Sequence, residues 1–378
     1  MKKFVLMTAG PTQVRENVRL ARSIVTTNPD EDISFCEYYK ELCDKLSHFF
    51  HTKNPFYILS GEGILGLEAA CASLTEKGDR VLVLDNGIFG KGFADFVTLY
   101  GGEAVLYTVD DKMPISVEDL EAYLKKDSNF KYATVVHCDT PSGMLNDVEQ
   151  ICALLKKHHI LTVVDSVSAS FGVPLDVDKG QIDILCGGSQ KALSAPIGLT
   201  FLGVSDAAIK AMKQRKTKIA SFYGNILSYA DYYEKKWFPY TMPISDIYGF
   251  GQALENVLEE KDIFARHEKI AKATRKAVES AGLEQYIHSG YSNTVTAIVV
   301  PEGISDKALL KKMREEYGVM ISGCFDVLAG KVVRIGHMGE NANVPDMLTT
   351  LHALQNVLEE MGFSLKCDMA NVFLKEME

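Results

Sequence analysis

From residue 55 to residue 204, short apolar runs alternate with amphipathic stretches whose apolar positions recur at helical spacing. The apolar runs predict strands, and the stretches between several of them predict helices near 64–76, 88–100, 116–126 and 147–158. Such alternation is typical of an α/β fold in which helices cover both faces of a mostly parallel sheet. The predicted strands lie at 56–59, 80–84, 103–109, 132–137, 160–165, 182–186 and 199–204.

The remainder of the chain predicts a division into an arm and two domains. Residues 1–14 are predicted to form an irregular N-terminal arm, because Gly10-Pro11 imposes a turn. Residues 15–261 are predicted to form a large domain that contains the sheet. Its further segments are helical over 15–50, with a break at 28–30, and over 205–260, with a loop centred on 237–243. A long helix is predicted over 246–281. Residues 262–378 form a smaller α+β C-terminal domain with strands at 294–300, 319–322 and 332–335 and helices at 305–316 and 344–360.

Composition narrows the class of protein. The chain has 378 residues, of which 47% are hydrophobic and 24% charged, as in an ordinary globular protein. Its net charge of -10 argues against a nucleic-acid partner. The eight cysteines form no C-x-x-C pair, so no metal site is predicted, and reduced thiols are expected. No apolar stretch has the length of a membrane span, and the apolar run at 4–7 is too short for a signal peptide. We expect a cytoplasmic protein.

Lys191 lies at an unusual position for a solvent-exposed lysine. Lys191 follows an apolar strand and a short turn of glycines and small polar residues, whereas surface lysines usually lie on helices or loose loops. Asp165 ends another apolar strand, where a carboxylate either caps the next segment or needs a partner. An aspartate for a pyridinium nitrogen and a lysine for an aldehyde are the pair that pyridoxal phosphate requires.

A glycine-rich turn at 61–66 has two interpretations. It fits the G-x-G-x-x-G dinucleotide fingerprint, and Asp85 lies about 20 residues further on at the end of the next strand. A nicotinamide-dependent dehydrogenase is therefore one hypothesis. Glycines at a strand-to-helix turn leave backbone N–H groups free for any phosphate, so the turn serves pyridoxal phosphate equally well. Glu62 is awkward in both cases, because its side chain must point away from the phosphate or weaken the site.

Other strand ends carry side chains that could contact a ligand. Phe89 could stack on a planar ring or pack at a helix start, and Thr140 could reach a ligand or belong to a capped turn. Arg334 stands inside a predicted strand, where it either pairs with a structural carboxylate or clamps a substrate carboxylate. Cys324 could be a catalytic thiol, but a packed thiol is the better interpretation, since no histidine lies near it in the sequence.

These motifs together resemble the class V aminotransferases of fold type I, most closely their alanine–glyoxylate and serine–pyruvate branch. The similarity covers nearly the whole chain, and the block around Lys191 is its most specific part. The motifs that carry it are Gly10-Pro11, Gly63-Ile64, Leu67-Glu68-Ala69-Ala70, Asn86-Gly87-Ile88-Phe89-Gly90, Thr140-Pro141-Ser142-Gly143, Val164-Asp165-Ser166-Val167, Gly188-Ser189-Gln190-Lys191-Ala192-Leu193 and Arg334-Ile335-Gly336-His337-Met338-Gly339.

The resemblance implies pyridoxal 5′-phosphate as the cofactor and catalytic roles for two residues. Lys191 would hold the cofactor covalently and move the α-proton of the substrate, and Asp165 would pair with the ring nitrogen. Phe89 and Val167 would face the two sides of the ring, and Thr140 would approach its hydroxyl.

The resemblance also implies how the phosphate is bound. The backbone N–H groups of Gly63 and Ile64 would hold it, together with Gln190. Thr241 would reach the phosphate of a neighbouring subunit, so the active unit would be a homodimer with its sites at the subunit interface.

The implied activity is a ping-pong aminotransferase that moves an amino group from alanine or serine to glyoxylate or pyruvate. Arg334 would bind the substrate α-carboxylate, and Gly10 would lie at the substrate site. Alternatives within the fold are a cysteine desulfurase or lyase that uses Cys324, and a transaminase of 2-aminoethylphosphonate or ureidoglycine. Residues 26–30 stand where many relatives carry a His-Arg pair, and Phe238 stands where they often have a tyrosine. Phe238 removes one hydroxyl that could bind the phosphate, and both departures bear on the identity of the substrate more than on that of the cofactor.

Overall fold

A computed structural model describes residues 4–378, so the first three residues of the predicted arm lie outside the described residues. Its strands are β1 (Val5–Leu6), β2 (Phe56–Ser60), β3 (Arg80–Asp85), β4 (Glu103–Thr108), β5 (Tyr132–Val136), β6 (Cys138–Asp139), β7 (Met144–Leu145), β8 (Leu161–Asp165), β9 (Ile184–Gly188), β10 (Leu199–Val204), β11 (Thr296–Val299), β12 (Val319–Met320) and β13 (Val332–Ile335).

The helices cover the sheet and build most of the C-terminal part. They are α1 (Glu16–Ala21), α2 (Ile33–Phe49), α3 (Gly63–Leu74), α4 (Ile88–Leu99), α5 (Val117–Leu124), α6 (Val148–Lys157), α7 (Val177–Gly180), α8 (Asp206–Lys213), α9 (Tyr232–Lys235), α10 (Ile244–Glu259), α11 (Ile263–Ser280), α12 (Asp306–Glu315), α13 (Val344–Glu360) and α14 (Met369–Met377). Short 3₁₀ turns lie at Ile226–Tyr229, Asp326–Leu328 and Gly339–Asn341. Across residues 4–378, none of these helices combines the length and the apolar character that crossing a bilayer requires.

The alternating part of the chain folds into a central sheet with the strand order β2-β10-β9-β8-β5-β3-β4. β10 runs antiparallel to both of its neighbours, and the other strands run parallel to one another. β5 and β8 are almost continuous apolar runs with both faces buried, as expected where helices cover a parallel sheet on two sides. The prediction of an α/β fold with a mostly parallel sheet is confirmed.

Most buried apolar side chains belong to two large clusters. The first surrounds the central sheet, and α11 enters it at its first residue, Ile263. The second begins at Ile270 on the same helix and includes α13, α14 and the strands near 319 and 333. We propose domains of 15–261 and 262–378 on this basis, because α11 passes from one cluster to the other within two turns.

Local structure differs from the pattern at three places. The helix predicted over 246–281 is interrupted between α10 and α11, where Glu260 adopts an extended conformation and its carboxylate binds Arg266. Much of 214–225 has no regular structure, although the segment 205–260 was predicted to be helical. Within the arm, β1 pairs in parallel with β12, so residues predicted to be irregular add a strand to the C-terminal part.

Candidate active site

A cavity of about 310 Å³ opens at the carboxyl edge of the parallel strands. Asp165 ends β8, Lys191 lies three residues beyond the end of β9, and Gly63 begins the helix that follows β2. Because parallel strands end at the same edge of a sheet, residues far apart in the sequence meet there. The cavity is lined by Gly10, Pro11, Glu62, Gly63, Ile64, Leu67, Phe89, Thr140, Asp165, Val167, Ser168, Gln190, Lys191 and Ile197.

Two of the predicted site residues do not line this cavity. Thr241 is exposed and borders a separate surface cleft with Arg22 and Asp246, so its role toward a neighbouring subunit stays a prediction. Arg334 is buried in β13, outside the lining. The structure brings the others together: Gly10, Gly63, Ile64, Phe89, Thr140, Asp165, Val167, Gln190 and Lys191.

Lys191 is held on a turn that is tied to the N-terminal arm. The Thr12 hydroxyl donates to the Lys191 carbonyl at 2.9 Å, and the Lys191 Nζ donates to the Ala9 carbonyl at 2.6 Å. Gly10 has a φ of +90°, and a Cβ there would lie 2.5 Å from Lys191 Cδ. Only glycine suits this position, because it accepts the left-handed backbone and leaves room for the lysine. The arm therefore positions the amine.

The environment of the Lys191 amine favours its neutral form. Burial and the positive charge of Arg334 together lower the pKa of Lys191 to about 8, although the charges of Asp165 and Glu62 act in the opposite direction. A neutral amine is the form that attacks a carbonyl carbon. At neutral pH about a tenth of this amine is neutral and can react, a far larger fraction than for an ordinary lysine.

We expect acetylation of Lys191 by acetic anhydride in the ligand-free protein to rise with pH and to reach half its maximum near pH 8, because only the neutral amine reacts. Mass spectrometry of the labelled peptides measures this midpoint. In the variant Arg334→Gln the midpoint should move upward, since a positive charge that opposes protonation is gone. A wild-type midpoint near the ordinary lysine value of about 10.4 would contradict the assignment of a perturbed amine.

Asp165 is a buried carboxyl that forms no ion pair with any of the residues 4–378. Its Oδ1 accepts the Val167 backbone N–H at 2.9 Å. Burial raises the pKa of Asp165 to about 7, even though this N–H and the Lys191 charge act in the opposite direction. A positively charged group placed beside the carboxyl would complete its pairing. Asp165 can thus bind a cationic nitrogen in the cavity that it lines.

Phe89 is positioned by a second buried carboxylate. Asp139 Oδ1 accepts the Phe89 N–H at 3.0 Å, at the first turn of α4, and its Oδ2 accepts the Ser142 hydroxyl at 2.7 Å. A negative charge at a helix N-terminus is favourable, since free N–H groups point toward it. A Cβ on Gly87 would lie 2.5 Å from the Asp139 carboxyl carbon, so the approach depends on that glycine. These contacts fix the start of α4 and the backbone that carries Phe89.

Arg334 contacts main-chain carbonyls rather than a carboxylate. Its Nε and Nη2 donate to the Gly323 carbonyl at 3.0 and 2.6 Å, and its Nη1 donates to the Thr140 carbonyl at 3.3 Å. Within residues 4–378 no ion pair to this guanidinium is formed. The hypothesis of a structural ion pair is therefore wrong. The guanidinium retains donor capacity for an anion, and the carbonyls keep it close to the cavity.

The Glu62 carboxylate occupies the predicted phosphate site instead of pointing away from it. Glu62 is the N-cap of α3, and its Oε1 accepts the Ile64 N–H at 3.1 Å. Its Oε2 accepts the Gln190 Nε2–H at 2.9 Å. A Cβ on Gly63 would lie 2.8 Å from Val167, so the backbone here runs close to the opposite wall of the cavity. The side chain caps its own helix and faces the site.

Several groups at the site carry little or no signal in the sequence. The Ala9 carbonyl that accepts from Lys191 is a backbone group, and Ile197 is an exposed apolar side chain in a loop. The Ser168 hydroxyl forms a very short hydrogen bond with the Thr140 hydroxyl. Ser168 lies three residues after Asp165, and this polar spacing at a strand end is the one hint that could have identified it.

The topology decides between the two interpretations of the glycine-rich turn. β10, β9, β8 and β5 separate β2, which leads into the turn, from β3, which ends in Asp85. The Asp85 carboxylate accepts the Thr108 hydroxyl at 3.0 Å and borders a different cavity. In a dinucleotide fold these two strands are neighbours and the acidic residue reaches the ribose. The dehydrogenase hypothesis is therefore wrong.

A lysine with a lowered pKa and a buried aspartate, both at the strand ends of an α/β sheet, define an enzyme that acts on carbonyl and amine carbons.

The hypothesis of a catalytic thiol concerns Cys324. Cys324 does not line the cavity, and burial raises the pKa of its thiol. The thiol donates to the Pro141 carbonyl at 3.7 Å. A raised pKa disfavours the thiolate that a nucleophile needs, which supports the interpretation of a packed thiol.

Known proteins match this chain over almost its full length. The family model of the class V aminotransferases matches residues 24–335. An uncharacterised aminotransferase of Methanocaldococcus jannaschii is 36% identical over 96% of this chain and 95% of its own length. A pyridoxamine–pyruvate transaminase of Mesorhizobium japonicum is 34% identical over 96% of this chain and 93% of its own. Alanine–glyoxylate and serine–glyoxylate aminotransferases match at 30% identity.

Solved structures agree. The crystal structure of a pyridoxamine–pyruvate aminotransferase from Mesorhizobium loti superimposes with a TM-score of 0.95 at 32% identity, covering 100% of this chain and 97% of that one. The chain belongs to the class V aminotransferase family and is a transaminase of the pyridoxal-phosphate-dependent fold type I. Membership implies pyridoxal phosphate as the cofactor.

The cavity fits the ring of this cofactor better than its phosphate. Asp165 has a raised pKa and one backbone partner, so a protonated ring nitrogen would supply the missing cation. At the other end, the Ile64 N–H and the Gln190 amide were predicted to hold the phosphate, but the Glu62 carboxylate accepts from both. The residues for the ring are therefore in place, whereas the predicted phosphate site is occupied by the Glu62 side chain.

Proposed function

We propose that the chain moves an amino group from a small amino acid, alanine or serine, to pyruvate or glyoxylate. The observation that carries this proposal is the meeting of Lys191 and Asp165 in one cavity, with opposite perturbations of their pKa values. The names of relatives include alanine, serine, glyoxylate and pyruvate among the reactants. A cavity of about 310 Å³ suits a ring with a small substrate.

Each residue has a distinct task in this proposal. A pyridoxal ring, when bound, supplies an electron-withdrawing system and the carbon that accepts or releases the amino group. Lys191, whose amine can be neutral near pH 8, takes the proton from the substrate α-carbon and returns one. Asp165 holds the ring nitrogen in its protonated form. Phe89 and Val167 lie on the cavity wall and keep the ring in place.

Arg334 gives the proposed substrate its orientation. Its guanidinium is fixed by the Gly323 and Thr140 carbonyls and is close enough to Lys191 to lower the pKa of the amine. A carboxylate that pairs with this guanidinium would lie within reach of the amine. Gly10 leaves room beside Lys191, because any Cβ at that position would collide with the lysine side chain. A small α-amino acid fits these requirements.

The active unit that we propose is a homodimer, in which Thr241 reaches the site of the other subunit. Large apolar side chains are exposed along the segment between α1 and α2, where Val25 is 88% exposed and Ile24 53%. Such side chains are typical of a surface that another subunit covers. The cytoplasmic location expected from the sequence remains a prediction.

The visible spectrum of the purified protein, loaded with pyridoxal or its phosphate, tests the amino transfer. Addition of L-alanine or L-serine should convert the yellow absorption to that of the amine form, and pyruvate or glyoxylate should restore it. This alternation is expected because one site performs both halves of a ping-pong reaction. D-alanine is the control, since a fixed Arg334 admits one enantiomer. A yellow protein that no amino acid bleaches would overturn the proposal.

A further inference from the structure

The site that would hold a phosphate is filled by an anion that belongs to the chain. The Glu62 carboxylate accepts the Ile64 N–H at 3.1 Å at the N-terminus of α3 and the Gln190 Nε2–H at 2.9 Å. Backbone N–H groups at a helix N-terminus and a nearby amide are what a phosphate usually binds. Both carboxylate oxygens are engaged, so a phosphate can take these donors only by displacing Glu62.

The charges around the cavity oppose a second anion. In the described part of the chain, the lining contains the carboxyls of Glu62 and Asp165 and one basic side chain, Lys191. The Lys191 amine already donates to the Ala9 carbonyl. A phosphate carries up to two negative charges and would lie against Glu62 in a half-buried site, where like charges repel more strongly than in water. The electrostatics therefore favour a ligand without phosphate.

The hydrogen-bonding character of this end points the same way. Gln190 is buried, and among residues 4–378 its Oε1 has no hydrogen-bond partner. This end of the cavity therefore carries an unpaired acceptor beside the Glu62 carboxylate. A phosphate dianion is itself only an acceptor, whereas a hydroxymethyl group brings an O–H that can donate. A donor from the ligand would satisfy acceptors that a phosphate would leave unpaired.

We propose that the cavity takes the phosphate-free vitamer, pyridoxamine or pyridoxal, as a substrate, with Glu62 receiving its 5′-hydroxyl. This rests on the proposed function, and it makes the free vitamer, in place of a bound cofactor, the partner with which pyruvate and alanine exchange the amino group. Pyridoxamine would pass its amino group to pyruvate, which yields pyridoxal and alanine. The carbon–nitrogen bond of pyridoxamine breaks as its carbon is oxidised to an aldehyde, and the keto carbon of pyruvate is reduced as it gains the amino group. No other oxidant or reductant is needed.

Binding of pyridoxamine and of pyridoxamine 5′-phosphate to the wild-type protein tests this inference without turnover. The two differ only in the phosphate, and neither has the aldehyde that reacts with Lys191, so the dissociation constants report on the pocket. We expect pyridoxamine to bind about 10- to 100-fold more tightly, the range that one hydrogen bond to a charged group spans. Calorimetry measures both constants. Tighter binding of the phosphate ester would overturn the inference.

The variant Glu62→Ser removes the anion and keeps a good N-cap for α3. We expect it to reverse the preference, so that pyridoxamine 5′-phosphate binds more tightly than pyridoxamine. Glu62→Gln keeps the length of the side chain but not its charge, and its ratio of dissociation constants should fall between those of the other two proteins. Glu118→Ser, at an exposed site in the first turn of α5, should leave the ratio unchanged. An unchanged ratio in Glu62→Ser would overturn the role of Glu62.

Turnover separates a failure of this inference from a failure of the proposed function. A wild-type protein that converts pyridoxamine and pyruvate to pyridoxal and alanine supports the inference and the pyruvate–alanine half of the proposed function. A protein that prefers the phosphate ester, and in its phosphate-loaded form transfers an amino group from alanine to glyoxylate, overturns the inference alone. If neither vitamer exchanges an amino group with alanine or serine, the proposed function fails and the inference about the substrate fails with it.

Discussion

Replacement of Lys191 by alanine is expected to lower the rate of amino transfer by about 10⁴-fold, the upper end of what a positioned acid–base group contributes. The amine is the one basic group on the cavity lining in the described residues, and its pKa of about 8 keeps a useful fraction neutral. In the proposed mechanism Asp165 pairs with the ring nitrogen and Glu62 caps α3, so we expect neither carboxyl of the lining to take the α-proton in place of Lys191. The variant removes the amine that transfers the proton and leaves the other lining residues unchanged.

Steady-state kinetics with alanine as donor measures this loss, and thermal unfolding checks the fold. We expect little change in the free energy of unfolding, since the variant removes a desolvated amine together with its hydrogen bond to the Ala9 carbonyl. Lys210→Ala, at an exposed position on α8, is the matched control and should retain full activity. A Lys191→Ala protein that turns over at the wild-type rate would show that another group carries the reaction.

Replacement of Arg334 by alanine is expected to raise KM for amino and oxo acids by about 100-fold and to change kcat less. A guanidinium that binds a carboxylate with two hydrogen bonds contributes about 1.5–3 kcal/mol per charged bond, which corresponds to factors of 10 to 100. Arg334→Lys keeps the charge but loses the planar pair of donors, so its KM should also rise. The affinity for pyridoxamine, which has no carboxylate, should stay close to that of the wild type.

The interactions of Arg334 within the protein require a separate check. Loss of its bonds to the Gly323 and Thr140 carbonyls will lower the free energy of unfolding, by about 1 kcal/mol for each bond. Denaturant unfolding measures this term and separates it from the effect on KM. Arg314→Ala, at an exposed position on α12, serves as the control. An unchanged KM together with lost pyridoxamine binding would assign Arg334 to the ring rather than the substrate.

The sequence alone predicted those parts of the site whose residues follow directly from a strand. Lys191 and Asp165 could be identified because a strand end places its next residues at the edge of the sheet whatever the strand order is. Their residue types then limited the chemistry. The alternation of strands and helices likewise predicted a mostly parallel sheet, because apolar period and segment length are local properties.

Contacts between distant segments could not be predicted in this way. The antiparallel β10 and the four strands between β2 and β3 are visible only in the folded sheet, and they exclude the dinucleotide hypothesis. The close approach of Gly10 to Lys191 joins the N-terminal arm to the turn that follows β9. Sequence spacing carries no information about such contacts, because they depend on how the elements pack.

Glu62 shows this limit most clearly. The sequence places a carboxylate in a glycine-rich turn and leaves the direction of its side chain open. In the folded chain, the Ile64 N–H and the Gln190 amide converge on it from two different segments, and the carboxylate binds both. The class of chemistry was thus determined by local sequence, since strand ends fix where Lys191 and Asp165 lie. The tertiary structure decides which ligand can bind, because the N–H donors that bind an anion come from separate elements and are brought together only by folding.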